Sequence, residues 1–279
     1  MNDFQKVIKY IAIAFGFYLA LQIIVAIVIG TTALLGAVTG WKNFSSNEKV
    51  EIVNITKQYE DVQELKIELA LSDLTIQQGD EWKVEVANMP KGFEEKQSGK
   101  RLILTDENIE HKLFQNLEVT PKVVVTIPKG IELNQVKIET GIGSTNIQGM
   151  NCNGFELNQG VGNVKIENIT CEKMNVKGGA GTFELVNVNS QSLHLEAGVG
   201  KTVVKGNLQG DSRIEAGIGA MKLELIGAKE NYTIKPQTGI GAIYIDRTKV
   251  EGNASYGEGD NVVRIEGGMG KVDISFVKD

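Results

Sequence analysis

The sequence predicts an all-β protein: a parallel β-solenoid with about 19 residues and two strands per coil, preceded by one N-terminal transmembrane helix. Three observations predict it. Gly-x-Gly pairs recur at a fixed interval, apolar residues alternate with polar ones between those pairs, and the first forty residues hold a long uncharged apolar run.

In chain order, residues 1–9 are a short tail with Lys6 and Lys9, expected in the cytoplasm. Residues 10–41 carry no charge, and Ile11–Gly30 alone matches the roughly 20 apolar residues that a bilayer-spanning helix needs. A cleavable signal peptide has an apolar region of only about 7–15 residues, and no lipobox cysteine stands near this one. The segment therefore reads as an uncleaved anchor. Lys6 and Lys9 against Lys42 favour an N-terminus inside and the remainder outside. Small residues at Ala12, Gly16 and Ala20, and at Gly36 and Gly40, offer a helix-pairing face.

Residues 42–50 form a polar linker, and residues 51–138 read as irregular opening coils that cap the solenoid. Strand-like runs fall at Leu65–Leu71, Leu74–Gln77, Trp82–Val86, Leu102–Leu104, Val123–Ile127 and Val136–Ile138, with loops at 88–100 and 105–120. Atypical terminal coils are expected of a stack; a separate small β-domain is the alternative.

Residues 139–279 are the regular part. The pairs Gly141/Gly143, Gly160/Gly162, Gly179/Gly181, Gly198/Gly200 and Gly217/Gly219 lie 19 residues apart, and Gly239/Gly241 and Gly268/Gly270 follow at longer intervals. Such a period marks a solenoid. Between the glycines stand Ile142, Val161, Ala180, Val199, Ile218, Ile240 and Met269. After them, Thr145, Val164, Phe183, Thr202 and Met221, then Ile147, Ile166, Leu185, Val204 and Leu223, define the buried register of one strand. Phe155 with Leu157, Met174 with Val176, Leu193 with Leu195 and, more weakly, Ser212 with Ile214 define that of the second. One coil cannot stand alone. Five or six buried side chains at about 1.5–3 kcal/mol each do not offset about 1–2 kcal/mol of backbone entropy for each ordered residue. Stacking supplies the difference. The insertion at 246–261 is expected to project as a loop, and Lys271, Asp273, Lys278 and Asp279 to blunt the last edge.

The net charge is −6, and lysines alternate with acids rather than gathering, which argues against nucleic acid as a partner. Motifs with chemical overtones dissolve into the repeat. The run Ala197–Thr202 resembles a phosphate-binding loop, but the required earlier glycine is Leu195. Gly178–Gly181 and Gly267–Gly270 resemble calcium-binding β-roll turns, with Phe183 and Val272 where aspartates are needed. Cys152 and Cys171 occupy equivalent positions of successive coils, about 4.8 Å apart if stacked; a disulfide and a pair of free thiols both fit. His194 reads as a solvated strand residue. His111, near Asp106, Glu107 and Glu110, reads as part of a solvated polar loop with the composition of a cation site. Catalytic, cofactor-binding and metal residues are expected to be none, cofactors none, and the chain not an enzyme.

The run Val123–Met150 (VVVTIPKGIELNQVKIETGIGSTNIQGM), with its strand, Ile-Pro-Lys-Gly, strand and ETGxG order, resembles the bacterial putative-adhesin family of β-strand-repeat proteins, a domain of unknown function. LiaG-like cell-envelope proteins look similar, and Leu65–Val86 is similar to the family's opening strands, so the resemblance runs from about Leu65 to the C-terminus. It implies a β-solenoid behind an N-terminal anchor and a binding role at the envelope, and it carries no catalytic residues. The expectation is a single-pass cell-membrane protein with its C-terminal domain extracytoplasmic, a non-enzymatic adhesin-like or scaffolding module. Its partners would be the membrane and a cell-wall glycan or envelope protein. The alternative is a cytoplasmic bactofilin-like scaffold that polymerises at the membrane. A β-helix enzyme acting on polysaccharide would need clustered acids, and the acids here are interleaved with lysines.

Overall fold

The structure is a computed structural model that describes residues 50–109 and 119–278. The transmembrane expectation for 10–41 lies outside the described residues, as do Glu110 and His111. No helix among the described residues is long and apolar enough to cross a membrane.

The repeats form two parallel ladders whose inward side chains meet in one core. The first ladder holds the strand segments that follow each Gly-x-Gly: Thr145–Gln148 of β9 (Thr145–Val161), the start of β10 (Val164–Glu196) and its residues 183–186, β11 (Val199–Leu208) and β13 (Met221–Ile226). The second ladder holds the segments that precede each pair: β8 (Glu132–Ile142), the later parts of β9 and β10, and β12 (Asp211–Glu215). The expected buried registers hold. Ile147, Ile166, Leu185, Val204 and Leu223 are fully buried in the first ladder, as are Leu157, Val176, Leu195 and Ile214 in the second. Ser212, the weak member of the sequence pattern, is fully buried as well, and its Oγ accepts the Leu193 N–H at 3.2 Å.

Where a coil departs from the pattern, a neighbour compensates. Gly178 occupies an inward position where a Cβ would strike the Phe183 ring, so the aromatic fills the space its own coil vacates. One coil earlier the same position holds buried Gln159. Its Oε1 accepts from the hydroxyls of Thr140 and Thr145, and its Nε2 donates to the carbonyls of Gly143 (3.2 Å) and Val161 (3.3 Å). Its buried amide is thereby satisfied.

Strands continue through the far corner, so the two strands per coil merge into long ones: β9 has 17 residues and β10 has 33. The corner is taken by left-handed residues at Gly149, Asn168 and Asn187, φ +72°, +57° and +55°. Glycine and asparagine tolerate that region best. The extra residue shifts the alternation, and Met150, Cys152, Ile169 and Cys171 join the core.

Both ends of the stack depart from chain order. At the C-terminal end β17 (Asn261–Glu266) and β18 (Lys271–Val277) insert between coil β12–β13 and coil β14 (Tyr232–Gln237) with β15 (Ala242–Ile245). At the other end β2 (Glu64–Leu71) and β3 (Asp73–Gly79) lie between β8–β9 and the pair β6 (Arg101–Thr105) and β7 (Lys122–Pro128). The expected charged C-terminal edge is therefore corrected. β18 is an interior strand, with Lys271 paired to Asp273 at 2.7 Å on its outward face. The real edges are β14, where Pro236 removes a donor, and the two-residue β16 (Thr248–Lys249), antiparallel to β15.

The opening segment pairs directly with the repeats, β2 on β8 and β3 on β9, and its inward side chains join the same core. Its cap is antiparallel: β4 (Trp82–Pro90) on β7, β1 (Ile52–Tyr59) on β4, and β5 (Glu94–Ser98) on β6. The loop expected at 88–100 is thus mostly strand. Its polar sequence hid an edge strand, Glu94–Ser98, in which Glu94 and Lys96 are exposed and Glu95, half-buried, pairs with Lys57 at 3.0 Å. The insertion at 246–261 is largely exposed, but Tyr256 returns to bridge Ile234.

Candidate interaction surface along the Gly-x-Gly edge

At the near corner the chain passes from the second ladder to the first in five residues. Thr140 and Thr145 both point inward and are buried, and the four residues between them face out. The two glycines let successive coils touch backbone to backbone. A Cβ on Gly162 would overlap the Gly143 carbonyl oxygen, one on Gly181 that of Gly162, and one on Gly219 that of Gly200. The second glycine also holds φ between +139° and +148° through Gly143, Gly162, Gly181, Gly200, Gly219 and Gly270, a conformation closed to L side chains.

Of the corner residues, the one between the glycines presents an apolar side chain to solvent. Ile142, Val161, Val199, Ile218, Met269 and Ile240 are 56, 51, 53, 48, 38 and 57% exposed. They are consecutive in the stack: Ile142 pairs with Val161, Val161 with Ala180, Ala180 with Val199, Val199 with Ile218, Ile218 with Met269, and Ile240 N–H donates to Gly268. The result is an apolar ridge of seven rungs, about 29 Å long at about 4.8 Å per rung, with a glycine on each side of every side chain. Ladder contacts between β-branched residues favour Val and Ile at such sites, but threonine satisfies that preference equally and occurs at none of the seven.

Charge borders the ridge asymmetrically. Three residues before each ridge residue stand Glu139, Lys177, Glu196, Glu215 and Glu266; two residues after stand Ser144, Thr182, Lys201 and Lys271. Lys177 Nζ lies 2.8 Å from Glu196, and that hydrogen bond holds the Glu196 carboxyl below its ordinary range. Arg213 bridges Glu215 at 2.8 Å and Glu266 at 2.7 Å. Beside the first rungs an open groove of about 670 Å³ is lined by Glu68, Asp106, Glu107, Glu139, Asn158 and Lys177.

The candidates raised from the sequence are scattered. Cys152 and Cys171 stack as expected and are free buried thiols. Cys152 donates to Cys171 Sγ at 3.2 Å, and Cys171 donates to the Lys173 carbonyl at 3.0 Å. That thiol–thiol hydrogen bond and burial push the Cys152 thiol well above its ordinary value. His194 is half-exposed on the second ladder, 3.4 Å from Glu196 and 3.7 Å from Glu215. Asp106 is buried, and its carboxylate accepts the Ala70 N–H at 2.7 Å, a structural use of an acid read as part of a cation-site loop. Among the described residues no group of three or more His, Cys, Asp or Glu is placed to hold a metal. Lys201, of the run that resembles a phosphate loop, is an exposed flank of the ridge. Period-two alternation gives no sign that the ridge residues are exposed. Their signal is the five-residue interval between inward positions, which that alternation cannot span.

The crystal structure of a putative adhesin from Bacteroides fragilis is similar at 13% identity and a TM-score of 0.46, covering 80% of this chain and 97% of that one. A putative cell adhesion protein from Clostridium sporogenes is similar at 18% identity and 0.40, covering 81% and 100%. A putative adhesin from Parabacteroides merdae is similar at 15% and 0.35, covering 83% and 97%. No curated protein matches the chain. The Toastrack DUF4097 sequence profile matches residues 62–267, from just before β2 to the end of β17, and the chain belongs to that family.

Proposed function

We propose that the chain is a membrane-anchored extracytoplasmic β-solenoid acting as a non-enzymatic, adhesin-like or scaffolding module at the bacterial cell envelope. The observation that carries this reading is the apolar ridge. Six side chains at about half exposure present on the order of 500 Å², within the roughly 300–600 Å² of the largest, often functional, apolar patches on monomers. The fold does not require it, since these residues lie outside the core. The uncharged run at 10–41 with Lys6 and Lys9 before it supports the anchor and its orientation. End-to-end polymerisation, which a cytoplasmic scaffold would use, needs open parallel edges; here the edges are the antiparallel β1 and β5, the proline-bearing β14 and the short β16.

Topology tests the reading. A C-terminal tag on the full chain is exposed to protease on intact cells stripped of outer wall. Loss of the tag is expected, together with reduced envelope association of a Val161→Lys, Val199→Lys, Ile218→Lys variant. A tag digested only after lysis would sink the extracytoplasmic reading.

A further inference from the structure

We propose that the ridge is occupied by a second copy of this chain, the two solenoids lying side by side and parallel about a two-fold axis that runs along the ridge. The inference rests on the reading of the ridge as the association surface and names its partner.

The area is sufficient. Two ridges of about 500 Å² each bury on the order of 1,000 Å² in all, the lower bound of specific interfaces. The shape suits a like partner: single side chains at strand spacing, each between glycines, leave shallow furrows beside the ridge into which an identical row can settle.

Charge selects the parallel arrangement. Rotation about an axis along the ridge brings the flank three residues before the ridge against the partner's flank two residues after it, rung for rung. At the Val199 rung Glu196 then meets Lys201, and at the Met269 rung Glu266 meets Lys271, each twice by symmetry. Lys177 meets Thr182 and Glu215 meets Ala220, with no like-charge pair from Ile142 to Ile240. At the Leu71 rung Glu68 would meet Asp73, and there the ridge residue is no longer exposed. An axis across the ridge would instead set each flank against itself, Glu196 against Glu196 at the central rung. The parallel pair also leaves both Val50 ends at the same end of the stack, beyond β1, where two chains anchored in one membrane would enter.

Cross-linking of the full chain in its native membrane tests this in a Cys152→Ser, Cys171→Ser background. Serine is suited there: the equivalent next position is Ser190, buried and donating to the Ser192 carbonyl at 3.0 Å. Single cysteines replace Ile142, Val161, Val199, Ile218 or Met269, and Lys165→Cys, on the ladder face, is the control. Under mild oxidation every ridge position is expected to give a disulfide dimer, at least five-fold above the control. Each bond joins two thiols, whose two protons and two electrons pass to the copper–phenanthroline and oxygen supplied. Dimer at Val199→Cys alone would mean antiparallel pairing, and dimer at no ridge position would mean a different occupant; either overturns the proposal. As a second readout, Lys201→Glu with Lys271→Glu should abolish the dimer, and so should Glu196→Lys with Glu266→Lys. Co-expression of the two tagged variants should restore a mixed dimer. A mixed dimer no stronger than either variant alone would overturn the charge register. The tag-protease result fails independently: a protected tag with ridge cross-links would remove the envelope reading and leave the pair standing.

Discussion

At Gly162 the backbone holds φ +141° and a Cβ would overlap the Gly143 carbonyl of the coil below. Gly162→Ala should therefore lower stability by about 1–3 kcal/mol from backbone strain alone, with the overlap adding to it, read as a shift of the urea midpoint. Gly99, at φ +59° with nothing within 4 Å, is the control; Gly99→Asn should be nearly silent, because asparagine tolerates that region. Tyr59 makes a different statement. Its phenol is buried without a hydrogen-bond partner among the described residues, and burial with the nearby Glu95 raises its pKa to about 12. An acid whose folded pKa lies above the unfolded value of about 10 keeps its proton longer in the native state. Stability is then unaffected below about pH 10 and is lost as pH rises from about 10 towards 12. Tyr59→Phe should leave the melting temperature at pH 7 unchanged or higher, since no hydrogen bond is lost, and should flatten that alkaline decline. An equally steep decline in the variant would assign the alkaline loss to other groups. The need for glycine could be read from the sequence. The outward direction of Ile142 or Val199 could not, because Thr140 and Thr145 are both inward and the alternation breaks between them.

Among the elements, the strands that alternate cleanly were readable and their order was not. Leu65–Leu71, Val123–Ile127 and the paired runs of each repeat fall within observed strands because one buried face imposes period two. β5 escaped because an edge strand of Glu, Lys, Gln and Ser has no buried face to show. The insertion of β17–β18 between coils β13 and β15 escaped for a deeper reason. A parallel ladder is specified by inward side chains, and Val263, Ile265, Val272 and Ile274 are as compatible with an outer rung as with an inner one. The length at 246–261 was the only trace, being the chain needed to step back inside the preceding coil. This order has a kinetic consequence. Coil β14–β15 precedes β17–β18 in sequence but joins the ladders of the repeats through them, while the Tyr232 hydroxyl donates directly to the Ile226 carbonyl at 2.7 Å. In pulse-labelled hydrogen exchange during refolding, the amides of 232–245 should gain protection together with those of 261–277 and after those of 211–226. Deletion of 261–279 should leave 232–245 unprotected while 145–208 remains protected. Early, independent protection of 232–245 would argue against this docking order.

For the molecule as a whole, stability is close to a sum over rungs, each contributing its inward side chains and its contacts with two neighbours. The outer faces add little: Lys137–Glu139 at 2.8 Å and Lys165–Glu167 at 2.9 Å are pairs two residues apart along a strand whose charges solvent screens. Additivity makes a coil removable where its neighbours can close over the gap, and the inward column at the near corner decides where that is. Deleting 200–218 joins Val199 to Gly219, restores a Gly-Val-Gly corner, and sets Ala197 beside Met221 in place of the identical Ala216. That variant should keep the β-sheet circular dichroism and unfold cooperatively, with a smaller urea m-value because less surface is buried. Deleting 162–180 joins Val161 to Gly181 and also restores a glycine corner, but it sets Gln159 against Phe183, whose ring occupies the space that Gly178 leaves open. Overpacking of that kind typically costs about 1–3 kcal/mol, so this variant should be clearly the less stable of the two although both lose nineteen residues. Equal stabilities would mean that the corner column does not govern coil compatibility; the expected difference would place the specificity of stacking in that column rather than in the glycine pairs common to every coil.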